Sequence, residues 1–129
     1  VYRMRNGDAE LLTDDHTLVN QILQSADGEC MVELNTRRSP LSHILTRVVG
    51  AKDVVLPEWR SVDVQLGDWF LVCTDGVHDV IDLKRMSELL KQVCSIEEFS
   101  SHIKTEIYKC GAPDNLTYCI VEVVDVIRI

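Results

Sequence analysis

The stretch Trp69 to Asp79, WFLVCTDGVHD, is an apolar run that ends abruptly in two aspartates held four residues apart around a glycine. A run of this length, bounded by Gly67-Asp68 and by Asp75-Gly76, is typical of a buried strand. Carboxylates crowded at the end of a stiff strand repel one another unless protons or cations neutralise them. The stretch therefore indicates either an oxygen-ligand metal site or an Asp-Gly turn whose aspartate only bonds to its own backbone.

A second loop, Gly111 to Thr117, leads directly into another apolar and β-branched run, Tyr118 to Val124. Glycine and proline are typical of a loop, and the run that follows is typical of a strand. If the two strands are neighbours, Asp75 and Asp114 converge at their ends. A carboxylate pair with waters suits Mg²⁺ or Mn²⁺. The alternative is that Asp114 and Asn115 only cap a turn before a core strand.

Four phrases of the sequence come in the order and spacing of the metal-dependent, type 2C (PPM) serine/threonine protein phosphatases. They are Leu12 to Val19, Leu45 to Gly50, Gly67 to Asp79 and Gly111 to Thr117. Because the four phrases are in register across nearly all of the chain, the sequence resembles this family, and its bacterial members in particular.

The resemblance implies a set of metal ligands. Asp75 and Asp114 match the aspartates that ligate the second ion of a two-metal Mn²⁺ or Mg²⁺ centre, and Asp79 matches an acid near an additional, weaker metal site. Gly76 and Asn115 match residues that support the ligand loops. The implied reaction is hydrolysis of phosphoserine or phosphothreonine in proteins by metal-activated water, which requires no catalytic nucleophile from the chain.

The resemblance also implies that residues 1–129 form a single partial phosphatase domain, the C-terminal half of the family domain. An early acidic ligand, a metal-bridging Asp-Gly pair and a phosphate-binding arginine of relatives have no counterpart here. The implied fold is α+β, the C-terminal portion of an α-β-β-α sandwich with antiparallel sheets. The chain alone is therefore expected to be inactive, and a non-catalytic regulatory or scaffold module with a phosphatase-like fold is the alternative.

Turn and strand signals organise the sheet. Asn6-Gly7 predicts a hairpin that starts at Val1. Residues 60–66 alternate between apolar and polar, which predicts a half-buried strand paired with the Trp69 strand across the Gly67-Asp68 turn. Without its family partners, the strand from Val1 to Arg5 is expected to leave an unpaired edge. The expected partners are therefore the missing N-terminal half or a second copy joined through an exposed sheet edge.

Apolar residues at helical spacing predict a helix around residues 18–23, another around 83–93, and a third that opens with a capping box at Ser95. His16 is expected one turn into a helix opened by Thr13 or Asp14, where acidic residues suit the helix dipole.

The five cysteines include no C-x-x-C pair. Cys73 and Cys119 fall inside apolar runs, so both are expected to be small buried hydrophobic residues, reduced in a cytoplasmic protein. The net charge is −8 and basic residues are scattered, so no nucleic-acid footprint is visible. No apolar stretch approaches the roughly 20 residues of a membrane span. The expected partner in catalysis is a phosphorylated protein, with no nucleic acid and no membrane.

Overall fold

The fold is described by a computed structural model for residues 1–25, 41, 44–51 and 53–127. The chain forms two compact units, one made of Val1–Thr13 and Arg60–Ile129 and the other of Asp14–Trp59. The expectation of one partial domain stays a prediction. None of the helices in the described ranges combines the length and apolar character that crossing a membrane requires.

The first unit is built on a four-stranded antiparallel sheet. Its strands are β1 (Tyr2–Arg5), β2 (Asp8–Leu11), β3 (Trp69–Cys73) and β4 (Tyr118–Glu122), in the spatial order β2-β1-β3-β4. The predicted hairpin is confirmed, because β1 and β2 are joined by Asn6 and Gly7 with φ values of 54° and 80°. Two successive positive φ angles are what a tight two-residue hairpin turn requires.

The position of β1 corrects one expectation. This strand lies inside the sheet, because β2 pairs with one of its edges and β3 with the other. Its register against β3 places Tyr2 opposite Leu71 and Met4 opposite Trp69. Among the described strands, β2 and β4 are outermost, so the expected unpaired edge at Val1 to Arg5 was wrong.

The sheet arrangement also overturns the predicted strand at residues 60–66, which the structure leaves without strand pairing. A strand has two edges, and those of β3 are taken by β1 and β4. The preceding segment instead closes a turn in which the Asp68 amide donates to the Gln65 carbonyl at 3.1 Å. Arg3 and Arg5 hold the segment by donating to the Asp63 carbonyl at 3.2 and 3.0 Å.

Three helices of the first unit follow β3. They are α1 (Asp75–His78), α2 (Leu83–Leu90) and α3 (Ile96–Lys109). The two longer helices confirm the predicted periodicity, and each begins at a side-chain cap. Asp82 accepts from the Arg85 amide at 2.7 Å, and Ser95 accepts from the Glu98 amide at 3.2 Å. These bonds satisfy amides that a helix N-terminus leaves without an intrahelical partner.

The core lies between the helices and one face of the sheet. Its buried residues are Tyr2, Met4, Leu71, Val77, Ile81, Met86, Leu89, Phe99, Ile103 and Ile107. Alternate residues of β3 and β4 point toward it, because successive side chains of a strand face opposite sides. The core therefore anchors the strand ends from which the two aspartate loops leave the sheet.

The other face of the sheet is exposed and partly apolar. Val72 and Val121 keep 47% and 49% of their surface exposed. Cys119, which lies opposite Val72 in the register, is exposed as well, and Cys73 is half-buried on the helix side. The expectation that both cysteines are buried was wrong for Cys119, because helices cover only one face and strand residues alternate between faces.

Among its described residues, the second unit contains one α-helix, α4 (Leu18–Ser25), which precedes β3 in the chain. Its N-terminal side pairs with a later segment through a bridge between Thr17 and Leu45. The Leu18 amide donates to the Ile44 carbonyl at 2.8 Å, and the Thr46 amide donates to the His16 carbonyl at 2.8 Å. His16 therefore precedes the helix, which corrects the expectation that it lies one turn inside.

Candidate metal centre

Asp75 lies where β3 leaves the sheet. The strand ends at Cys73, and Asp75 is the first residue of the four-residue helix α1. Its side chain is exposed, and Oδ1 accepts from the Gly76 amide at 2.9 Å. Within the described part of the chain, Oδ2 has no hydrogen-bond partner. Asp75 therefore makes the local backbone bond of an Asp-Gly turn and still keeps one oxygen available.

Asp114 has a similar environment on the neighbouring loop. It is exposed and lies four residues before β4, and its Oδ1 accepts from the Asn115 amide at 2.7 Å. The other oxygen has no partner among the residues that the structure describes. Both aspartates therefore bond to their own backbone, as the simple turn interpretation expects, without losing the capacity to ligate a cation.

The loops that carry these aspartates are in direct contact. β3 and β4 are neighbours, and their register ends with Cys73 opposite Tyr118. Beyond this pair, the Thr74 amide donates to the Thr117 carbonyl at 2.9 Å. A Cβ atom built on Gly76 would lie 2.3 Å from the Asn115 carbonyl oxygen, so only glycine permits this approach. The two strands are neighbours, which meets the condition under which the Asp75 and Asp114 loops approach each other, and Asn115 makes the contact through its backbone.

Asp79 lies one helical turn beyond Asp75. It is the residue that caps the C-terminus of α1, and its amide donates to the Asp75 carbonyl at 2.9 Å. Residues four apart share a face of a helix, so both acids lie on the same side of α1. The Asp79 carboxylate is half-exposed and lies 3.2 Å from Nδ1 of His78. Asp79 therefore lies one helical turn from Asp75, and its carboxylate is next to the His78 ring.

The carboxylate oxygens of Asp75 and Asp114 suit a hard divalent cation, but they are few. The described residues include no group of three or more His, Cys, Asp or Glu side chains arranged to hold a metal ion. Mg²⁺ keeps several waters and is commonly bound through one or two carboxylates, so a two-carboxylate site suits such an ion. Asp75 and Asp114 each carry carboxylate oxygens of the type that such a site uses.

A cavity of about 640 Å³ lies within the second unit. His16 and Glu58 both line it, and they form a pair with 2.9 Å between Nε2 and Oε2. Arg47, another lining residue, donates to the Leu56 carbonyl at 3.4 Å. No sequence signal predicts this pairing, because the partners are 42 residues apart and no motif links them.

Comparisons with known proteins find phosphatases as relatives of this chain. No family model matches it. It is 31% identical over 121 residues to the serine/threonine phosphatase stp of Listeria monocytogenes, covering 94% of this chain and 47% of that protein. It is 25% identical over 118 residues to protein phosphatase PhpP of Streptococcus pneumoniae, covering 92% of this chain and 47% of that protein. The chain thus spans about half the length of the curated relatives it matches.

Solved structures give the same picture of the fold. The serine/threonine phosphatase of S. agalactiae matches with a TM-score of 0.81 at 24% identity, over 96% of this chain and 50% of that one. The catalytic domain of the phosphatase PstP, solved with two manganese ions, matches with a TM-score of 0.73 at 26% identity, over 96% and 49%. The α+β class with an antiparallel sheet is confirmed. In sequence and in fold, the chain is similar to the C-terminal half of these type 2C (PPM) serine/threonine protein phosphatases.

Proposed function

We propose that this chain supplies part of the metal centre of a cytoplasmic, metal-dependent protein serine/threonine phosphatase that acts on phosphorylated proteins. The observation that supports the proposal is the contact between the Asp75 and Asp114 loops at the adjoining ends of β3 and β4. The named relatives are phosphatases, and the PstP structure carries manganese. Both facts support metal-dependent hydrolysis of phosphorylated proteins by the domain to which this chain contributes.

In the proposed site, Asp75 and Asp114 each offer one carboxylate to a Mn²⁺ or Mg²⁺ ion. Asp79 lies one helical turn away and serves the additional, weaker site. Bound divalent ions would activate a water and neutralise the charge that develops on the phosphoryl oxygens. The chain's own contribution is to hold and orient these ligands, and the backbone contact between Gly76 and Asn115 maintains the spacing of their loops.

The remaining ligands, in this proposal, come from the N-terminal half of the family domain. The sheet face that bears Val72, Cys119 and Val121 supports this arrangement, because an exposed apolar face favours a partner. Self-association through the outer edge of β4 is the alternative. Light scattering after size exclusion distinguishes the two: a monomeric chain that forms a 1:1 complex with the other half supports the first, and a dimer of the chain alone supports the second.

A complementation assay tests the enzymatic proposal. The chain is assayed with Mn²⁺ and p-nitrophenyl phosphate, alone and mixed with the N-terminal half of the Listeria monocytogenes relative. We expect negligible turnover alone and Mn²⁺-dependent hydrolysis in the mixture. Asp75→Asn or Asp114→Asn should lower that hydrolysis by at least about 100-fold, because loss of an outer-shell partner alone costs 10- to 100-fold and these residues are proposed as direct ligands. Hydrolysis that is unchanged in both variants would contradict the proposal.

The small number of donors favours one alternative function, a regulatory or scaffold module without catalysis. Such a module needs the fold and the exposed face but has no use for the carboxylates. Replacing Asp75 by Ala should then leave its biological effect intact, whereas the enzymatic proposal requires that the effect is lost. A cellular comparison of the wild-type protein with this variant, at equal abundance, separates the two.

A further inference from the structure

Thr74, the residue between β3 and α1, does not use its hydroxyl to cap the helix that follows. It occupies the N-cap position of α1 with an extended backbone, φ −82° and ψ 170°. A threonine at this position typically accepts a hydrogen bond from an amide of the first helical turn. Here the side chain makes no such cap bond. Its Oγ1 instead accepts from the Thr117 amide at 3.1 Å and lies 3.4 Å from the Thr117 carbonyl oxygen.

This hydroxyl takes the place of a missing ladder bond. After the pair Cys73 and Tyr118, the Thr74 amide still donates to the Thr117 carbonyl at 2.9 Å. In a regular antiparallel pair, the Thr117 amide would return a bond to the Thr74 carbonyl. That carbonyl accepts from the Val77 amide at 3.1 Å instead, because α1 has already begun. The hydroxyl therefore keeps the two loops joined at the point where the backbone leaves β3 and enters α1.

The joined loops are those of the candidate metal centre. Asp75 follows Thr74 directly, and Asp114 lies three residues before Thr117. We propose that Thr74 is a positioning residue that sets the separation of the Asp75 and Asp114 carboxylates through its hydroxyl bond to Thr117. This inference rests on the proposed function. It assigns the control of ligand geometry to a side chain that is itself outside the ligand set.

The test compares Thr74→Val with Thr74→Ser in the full chain, using Mn²⁺ alone as the probe. Valine keeps the branched shape and removes the hydroxyl, whereas serine keeps the hydroxyl. Mn²⁺ affinity is measured by calorimetry and by electron paramagnetic resonance. Loss of an outer-shell hydrogen bond typically costs 10- to 100-fold in metal affinity, so Thr74→Val should weaken binding by at least about 10-fold. Thr74→Ser should stay within about threefold of the wild type, because the bond is retained.

A second readout does not depend on metal. Hydrogen exchange of the Thr117 amide, measured without Mn²⁺, should be faster in Thr74→Val and nearly unchanged in Thr74→Ser, because only valine removes the acceptor. Thr105→Val is the matched control. It removes a threonine hydroxyl that bonds within α3, to the Ser101 carbonyl at 2.8 Å, and should leave both readouts as in the wild type.

The outcomes separate this inference from the proposed function. If Asp75→Asn abolishes Mn²⁺ binding while Thr74→Val binds as tightly as the wild type, the positioning role is overturned and the proposed site stands. If the wild type binds no Mn²⁺ even with the N-terminal half of the Listeria monocytogenes relative added, or if Asp75→Asn binds it equally well, the site itself is overturned and the positioning role falls with it. A Thr74→Val chain that fails to fold, by circular dichroism, would assign the hydroxyl to stability and also overturn the inference.

Discussion

Arg5 and Asp68, 63 residues apart, form a two-point ion pair in which Nε and Nη2 of the arginine each donate to a separate carboxylate oxygen at 2.6 Å. The Asp68 side chain is only 1% exposed, and Oδ2 also accepts from the Gln65 amide at 2.8 Å. The pair therefore joins β1 to the turn that precedes β3, and so helps to fix the strand that leads to Asp75.

Replacing Asp68 by Asn should destabilise the first unit. The neutral amide loses the charge-assisted bonds to Arg5 and leaves buried polar groups less well satisfied. We expect a loss of about 2 kcal/mol in the free energy of unfolding, measured by urea denaturation. Asp63→Asn is the control, because Asp63 contributes its backbone carbonyl to Arg3 and Arg5 and is exposed. An equal loss in both variants would contradict a specific role for the Asp68 carboxylate.

The same pair predicts an acid dependence of stability. The side-chain hydrogen bond from Arg5 holds the pKa of Asp68 below its ordinary value of 3.8. A carboxyl whose pKa is lowered on folding contributes stability that is complete above its unfolded pKa and is lost as the pH falls through its folded pKa. The wild type should therefore lose stability below about pH 4, and the acid slope should be shallower in Asp68→Asn. Identical slopes from pH 5 to pH 2 would exclude this contribution.

Replacing Gly76 by Ala should force the two aspartate loops apart. The added Cβ would lie 2.3 Å from the Asn115 carbonyl oxygen, and backbone cannot give way as a flexible side chain can. We expect a loss of about 1–3 kcal/mol in unfolding free energy, together with weaker Mn²⁺ binding.

Gly111→Ala is the comparison for the Gly76 variant. Its Cβ would meet nothing within 4 Å, and its cost comes only from a backbone at φ +85°. It should destabilise the chain by about 1 kcal/mol and leave Mn²⁺ affinity unchanged. Equal Mn²⁺ affinities in the two variants would show that the close approach does not control the site.

Removing the cap of α3 tests the contribution of a single side chain to the helix layer. Ser95→Ala loses the bond from the Glu98 amide and should reduce the unfolding free energy by about 1 kcal/mol. Ser101→Ala, at an exposed position inside the same helix, should be neutral or slightly stabilising, because alanine is the better helix former. A thermal melt monitored at 222 nm measures both, and a reversed order would contradict the cap.

The His16–Glu58 pair should contribute little to stability, and only to the stability of the second unit. Both side chains are about one third exposed, at 31% and 33%, so solvent screens their attraction. Glu58→Gln should therefore lower the local stability of this unit by less than about 1 kcal/mol. The readout is hydrogen exchange of the Thr46 amide, which bonds to the His16 carbonyl and should exchange at most about fivefold faster. Asp53→Asn, exposed in the same unit, is the control. A larger effect in the control would exclude the pair as the cause.

The amino-acid sequence by itself determined the local elements. The Asn6-Gly7 turn, the cap at Ser95 and the apolar spacing of the two long helices all depend on residues within a few positions of one another. The boundaries of two apolar runs also placed Asp75 and Asp114 next to strand ends, and the motifs carry the resemblance to the type 2C phosphatases. Such signals are readable because turn, cap and periodicity are short-range properties of the backbone.

Only the tertiary structure decided which edges and faces those elements share. It put β1 inside the sheet, formed no strand over residues 60–66 and exposed Cys119, because an apolar run reads the same whichever face is covered. It also paired Arg5 with Asp68 and turned the Thr74 hydroxyl toward Thr117. These contacts join residues 43 to 63 positions apart, and their partners are selected by strand pairing and burial, which no local pattern encodes.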